Sequence, residues 1–140
     1  MTRCVIDASV VAVALLKEPG AEEARALLDS GDSLSAPDFI FTELANVVWK
    51  HACRGELSSE EADRMLAHIL HLSFEIVPST RLLSRALELA LRTRQTVYDC
   101  LYLALAQSND AVLVTADKRL VNALSRGPLA RFVTSLDKLS

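Results

Sequence analysis

Four carboxylates in this chain stand where their neighbours are apolar. Asp7 is the only charged residue between Arg3 and Lys17, Glu43 the only acid between Asp38 and Glu56, and Asp99 the only charge between Arg94 and Asp110. Asp117 lies just past the aliphatic run AVLVT at 111–115. Glu43 has Phe39, Ile40 and Val47 one turn away on a helix, so its carboxyl needs a partner or a raised pKa. Each acid also has a structural reading. Asp7 and Asp117 stand where helix caps stand, and Thr96-x-x-Asp99 is spaced as a capping box. Gathered at one place without cations, four carboxylates repel one another, and a divalent ion removes that repulsion. All-oxygen ligation suits Mg²⁺ or Mn²⁺, whereas Zn²⁺ favours His or Cys.

The elements that must deliver these acids can be read from periodicity. CVID at 4–7 reads as a buried strand, after which helical spacing runs from Ala8 to about Lys17, before the Pro19-Gly20 turn. A second helix covers 21–30, and GDSLSAP at 31–37 supplies a turn and a small strand. Asp38 is expected to cap a long helix closed by Gly55. Ser58 and Glu61 form a capping box for a helix reaching Leu72, and FEIVP at 74–78 is strand-like. An amphipathic helix follows, is broken by RTRQT, and gives way to the helix carrying Asp99. AVLVT reads as a strand covered on both faces. A helix ending at Gly127-Pro128 and an edge strand in RFVTS complete the chain.

This alternation predicts one α/β domain over residues 1–140, a sandwich around a parallel sheet of four or five short strands. Ligands in such folds bind beyond the carboxyl ends of the strands. Asp7 and Asp117 follow strands directly, and Glu43 lies in the second turn of a helix leaving a strand. The Asp99 helix precedes a parallel strand and so begins at the same edge. All four acids are predicted to meet there.

Composition narrows the class. No apolar run crosses a bilayer, and the three cysteines Cys4, Cys53 and Cys100 form an odd set in apolar contexts, which reads as reduced core thiols in a cytoplasmic protein without a membrane partner. Net charge is -3, yet eleven of the fifteen cations are Arg, and setting four metal-binding carboxylates aside leaves the remainder slightly positive. A phosphate-bearing partner is therefore compatible with the charge.

The order DASVVAVALL, TELANVVW, YDCLYLALA and LVTADKRL resembles the PIN domain, and specifically the VapC-type toxin ribonucleases of bacterial toxin–antitoxin modules. The resemblance covers nearly the whole chain. It implies a three-layer α/β/α sandwich and an Mg²⁺- or Mn²⁺-dependent endoribonuclease, with Asp7, Glu43, Asp99 and Asp117 matching the family's catalytic and metal-binding acids. It also implies a cognate VapB-type antitoxin and a homodimer. In this reading Asp7 and Asp99 are direct ligands, Glu43 and Asp117 complete the shell or orient water, and Ser9 and Thr115 contact metal-bound water or substrate phosphate. The chain departs from its relatives at QSNDA, where Asn109-Asp110 replaces a common Gly, and Asn109 is expected to take the left-handed backbone.

Other residues carry less chemistry. Arg81, Arg92, Arg94, Lys118 and Arg119 are the cations nearest the acidic edge that could meet RNA. His68 and His71 have metal-compatible spacing but no third ligand, and Cys100 has no nearby His to activate it. Trp49, Phe39 and Phe41 read as core or dimer contacts. Competing functions are a housekeeping RNA-processing nuclease, a PIN-like protein that mainly binds DNA with its antitoxin, and a phosphatase. The last lacks its D-x-D signature because position 9 is Ser.

Overall fold

The branched runs of the two central strands dictate the middle of the molecule. In the computed structural model, which describes residues 3–139, Val5 and Ile6 of β1 (Arg3–Ile6) and Leu113 and Val114 of β4 (Val112–Thr115) are completely buried. With β2 (Ser33–Pro37), β3 (Glu75–Val77) and β5 (Val133–Ser135) they form a parallel sheet of order β3-β2-β1-β4-β5. The chain builds leftward from β1 to β3, then returns to β4 on the other side. The topological switch point therefore lies between β1 and β4, where α/β folds place their ligands. Ile6 registers opposite Val114, which sets Asp7 at the level of Thr115.

Among the described residues, seven α-helices cover the sheet in a three-layer α/β/α sandwich: α1 (Ala8–Leu15), α2 (Ala21–Leu28), α3 (Phe39–Cys53), α4 (Ser59–Leu70), α5 (Leu83–Thr93), α6 (Val97–Ser108) and α7 (Lys118–Leu124). Among these, α6 packs across β1, β2 and β4, and Cys100 through Ala106 are all buried. A helix apolar on every side belongs in such a position. Its first turn emerges at the carboxyl edge of the sheet, where Asp99 is half-buried. The Ser58–Glu61 capping box of α4 makes both of its reciprocal hydrogen bonds. No helix among the described residues is long and apolar enough to cross a membrane.

Three local expectations are corrected. Asp38 does not cap α3. Its backbone is already helical (φ -61°, ψ -19°), and its carboxylate accepts from the Ser79 amide at 2.9 Å, while Ser79 Oγ receives the Phe39 N–H at 3.2 Å. A serine forty residues away therefore takes the capping role. At the end of α6 the left-handed residue is Asp110 (φ +47°), not Asn109. The Ala111 amide donates to Ala106 and the Asp110 amide to Gln107, a Schellman closure that puts the positive φ one residue later. Cys53, at the last turn of α3, is exposed, whereas Cys4 and Cys100 are buried. Trp49, read as a core or dimer contact, is exposed, which leaves the second of those two readings.

Candidate active site

The chain leaves β1 at Asp7 and turns at once into α1, so the Asp7 carboxylate caps that helix through the Ser9 amide at 3.1 Å. Both of its oxygens are held. Oδ1 also receives the Ser9 hydroxyl, and Oδ2 receives the Thr115 hydroxyl from the end of β4 at 2.6 Å. The same two hydroxyls satisfy backbone on the β4 side: Ser9 Oγ accepts from Ala116 at 2.9 Å and Thr115 Oγ1 from Asp117 at 3.0 Å. Ser9 and Thr115 thus serve local backbone and Asp7 together, and the network closes the gap between the two strands at the switch point.

Asp7 is 8% exposed, and burial raises its pKa to about 6 against the hydrogen bonds of Ser9 and Thr115, with the charge of Asp99 adding to the rise. Glu43, on α3, receives the phenol of Tyr102 from α6. Its pKa is also raised, chiefly by burial, and the charges of Asp7 and Asp99 raise it further against the Tyr102 bond. Burial raises Asp99 as well; Arg119 opposes this and Asp117 reinforces it. These mutual influences join the four predicted acids into one electrostatic cluster at the carboxyl edge of the sheet. Phe39 of α3 and Tyr98 of α6 stack nearly in parallel, with centroids 5.0 Å apart.

Asp117 caps α7, its Oδ1 accepting from the Arg119 amide at 3.0 Å and the Leu120 amide at 3.4 Å. Thr96 caps α6 through the Asp99 amide at 3.1 Å, which leaves the Asp99 carboxylate to face Arg119. The capping readings of Asp7 and Asp117 therefore hold alongside the clustering, whereas of the Thr96–Asp99 box only the Thr96 bond is made.

The donor set is made of carboxylates alone, which suits a hard divalent cation. Among the described residues no three His, Cys, Asp or Glu side chains stand close enough to enclose an ion in the positions seen. Each acid is instead engaged by a protein donor: hydroxyls for Asp7, a phenol for Glu43, a guanidinium for Asp99 and Asp117. The last two side chains are 28% and 36% exposed. The residues thus fit such an ion by the chemistry of their donors and by their shared place at the carboxyl edge of the sheet.

Two participants were not legible as such in the sequence. Tyr102 is the fourth letter of D-x-x-Y, three residues from Asp99, yet only the fold shows that it serves Glu43 on another helix. Arg119, expected to face RNA, lies on the acids themselves. Arg92 pairs with Glu88 at 2.8 Å and Lys118 with Asp137 at 3.1 Å. His68 and His71 are exposed, with Nδ1 of His71 donating to the Ala67 carbonyl.

Comparison with known proteins converges on one family. Residues 4–124 match the PIN domain. Ribonuclease VapC3 of Pyrobaculum aerophilum is 34% identical over 120 residues, spanning 84% of this chain and 92% of that protein. Ribonuclease VapC1 of Mycobacterium tuberculosis is 35% identical over 125 residues, with 88% and 92% covered. Among solved structures, one protein of Pyrobaculum aerophilum superposes with a TM-score of 0.71 at 24% identity, over 99% of this chain and 86% of the other. VapBC2 of Rickettsia felis, solved with a DNA fragment from its promoter, gives 0.65 at 16% identity, over 96% and 98%. At these identities the two structures speak for the fold alone.

Proposed function

The chain belongs to the PIN-domain family, and from that premise we propose that it is a VapC-type endoribonuclease toxin, cutting RNA phosphodiester bonds with Mg²⁺ or Mn²⁺ and restrained by a cognate VapB-type antitoxin. The observation that carries this reading is the joining of Asp7 to Thr115 across the β1/β4 switch point, with Glu43, Asp99 and Asp117 electrostatically coupled around it. The names of the relatives, VapC ribonucleases, support the substrate class.

In this reading Asp7 and Asp99 hold the ion, and Glu43 and Asp117 complete its shell or orient the attacking water. The ion, when bound, acidifies that water and neutralises charge on the phosphate. Ser9 and Thr115 act through Asp7. Their hydroxyls fix both of its oxygens, so the carboxylate meets its task without reorganising. Tyr102 of α6 holds one oxygen of Glu43 on α3.

The partners are RNA, the antitoxin and a second copy of this chain. Exposed Leu83, Leu87 and Leu91 form one row along α5, and with Trp49 on α3 they supply apolar surface for protein contacts. A cytoplasmic location is the one compatible with an intracellular RNA substrate in this reading.

The test is direct. Purified protein is incubated with total RNA in Mg²⁺, in EDTA, and with co-purified antitoxin, and its mass is measured by light scattering. Cleavage is expected in Mg²⁺ only, from a dimer. Full cleavage in EDTA would sink the metal-dependent reading.

A further inference from the structure

The acidic cluster already contains a cation of its own. Arg119 Nη2 lies 3.2 Å from Oδ2 of Asp117 and 3.4 Å from Oδ2 of Asp99, and Nη1 donates to Oε1 of Gln95 at 3.1 Å. The Gln95 side chain is in turn tied to the Thr93 carbonyl by its amide. One guanidinium therefore spans the two carboxylates from a fixed anchor on the loop before α6. Asp7 and Glu43, by contrast, are met by neutral hydroxyls. The Arg119 side chain is 63% exposed, so it can leave without disturbing the core.

We propose that Arg119 competes with the divalent cation for Asp99 and Asp117, so that the protein's own guanidinium sets the affinity of the site and turns to the RNA phosphate when the ion binds. This rests on the metal-dependent reading above. The competition is geometric, because the two carboxylates that face the guanidinium are among those that would hold or surround the ion in the metal-dependent reading. It is also electrostatic, since a divalent ion supplies twice the charge in a smaller volume. A displaced guanidinium, still at the carboxyl edge, matches a phosphate by its forked donors. Ion and RNA then favour each other's binding through one residue, and Gln95 is a positioning residue that biases Arg119 toward the acids.

The experiment is calorimetric titration of Mn²⁺ at low salt into wild type, Arg119→Gln and Gln95→Ala, together with thermal melting of each in EDTA and in excess Mn²⁺. Arg119→Gln is expected to bind Mn²⁺ about fivefold more tightly than wild type, and Gln95→Ala about twofold. Arg119→Gln should melt below wild type in EDTA and lose that deficit in Mn²⁺, while its KM for RNA rises. Equal or weaker Mn²⁺ binding by folded Arg119→Gln, with wild type binding normally, overturns the role of Arg119 and leaves the metal-dependent reading standing. Should Arg119→Gln fail to fold, unchanged Mn²⁺ affinity in Gln95→Ala overturns the proposal and tighter binding supports it. Absence of Mn²⁺ binding in wild type and both variants overturns the metal-dependent reading and this inference together.

Discussion

The Thr115 hydroxyl donates to Oδ2 of Asp7 at 2.6 Å, joining the ends of the two central strands through a buried side-chain hydrogen bond. Thr115→Val keeps the shape and removes the donor, leaving one oxygen of a buried carboxylate without its partner. A loss of about 1–3 kcal/mol is expected, read from urea denaturation, with reduced RNA cleavage. Unchanged stability would show that water replaces the hydroxyl.

Neutralising Asp7 separates function from folding. Asp7→Asn removes a carboxylate that burial disfavours, so the variant should be as stable as wild type or more so in EDTA. RNA cleavage by the same protein should fall at least about a hundredfold. Thermal melting and a cleavage assay on one preparation give both numbers, and a folded, fully active Asp7→Asn would remove Asp7 from the site.

Stability in EDTA should depend on pH in a particular direction. Folding raises the Asp7 pKa from its ordinary value near 4 to about 6, and raises those of Glu43 and Asp99 too. The folded state then binds more protons than the unfolded chain between these values. The contribution of these three groups is highest below the ordinary value and declines as pH rises through about 6, by up to roughly 3 kcal/mol for Asp7. Urea melts at pH 5 and pH 7.5 should show the higher midpoint at pH 5, and Asp7→Asn should flatten the difference. An unaltered slope in that variant would assign the effect to other groups.

Tyr102→Phe deletes the phenol that donates to Glu43 while keeping the buried ring. The bond lowers the Glu43 pKa against burial, so its loss should push that pKa further up. Cleavage should then fail at a higher pH on the acid side than in wild type, at a stability cost of about 1 kcal/mol. The pH–rate profile is the measurement, and an unshifted acid limb would remove Glu43 from the pH dependence.

Much of the architecture was readable before any coordinates. The short branched aliphatic runs around Val5 and Leu113 read as strands covered on both faces, and the length and apolarity of 100–106 read as a central helix. The misreadings were all local. A helix-start acid such as Asp38 looks like a cap whether or not its backbone is already helical, and the positive φ at Asp110 depends on where α6 ends, which side-chain chemistry does not encode. Cys53 sits among apolar letters, yet the last turn of α3 presents it to solvent.

The sequence by itself determined where each acid falls relative to its strand or helix, because burial imposes periodicity along the chain and an isolated charge at the end of an apolar run has few places to go. Only the tertiary structure decided what satisfies each of them. Thr115 reaches Asp7 across 108 residues of chain and Tyr102 reaches Glu43 across 59, while Arg119, two residues from Asp117, also spans to Asp99 twenty residues away. Partner choice for a buried carboxylate is set by which donors the packed helices and strands leave within about 3 Å, a property of the fold rather than of local order.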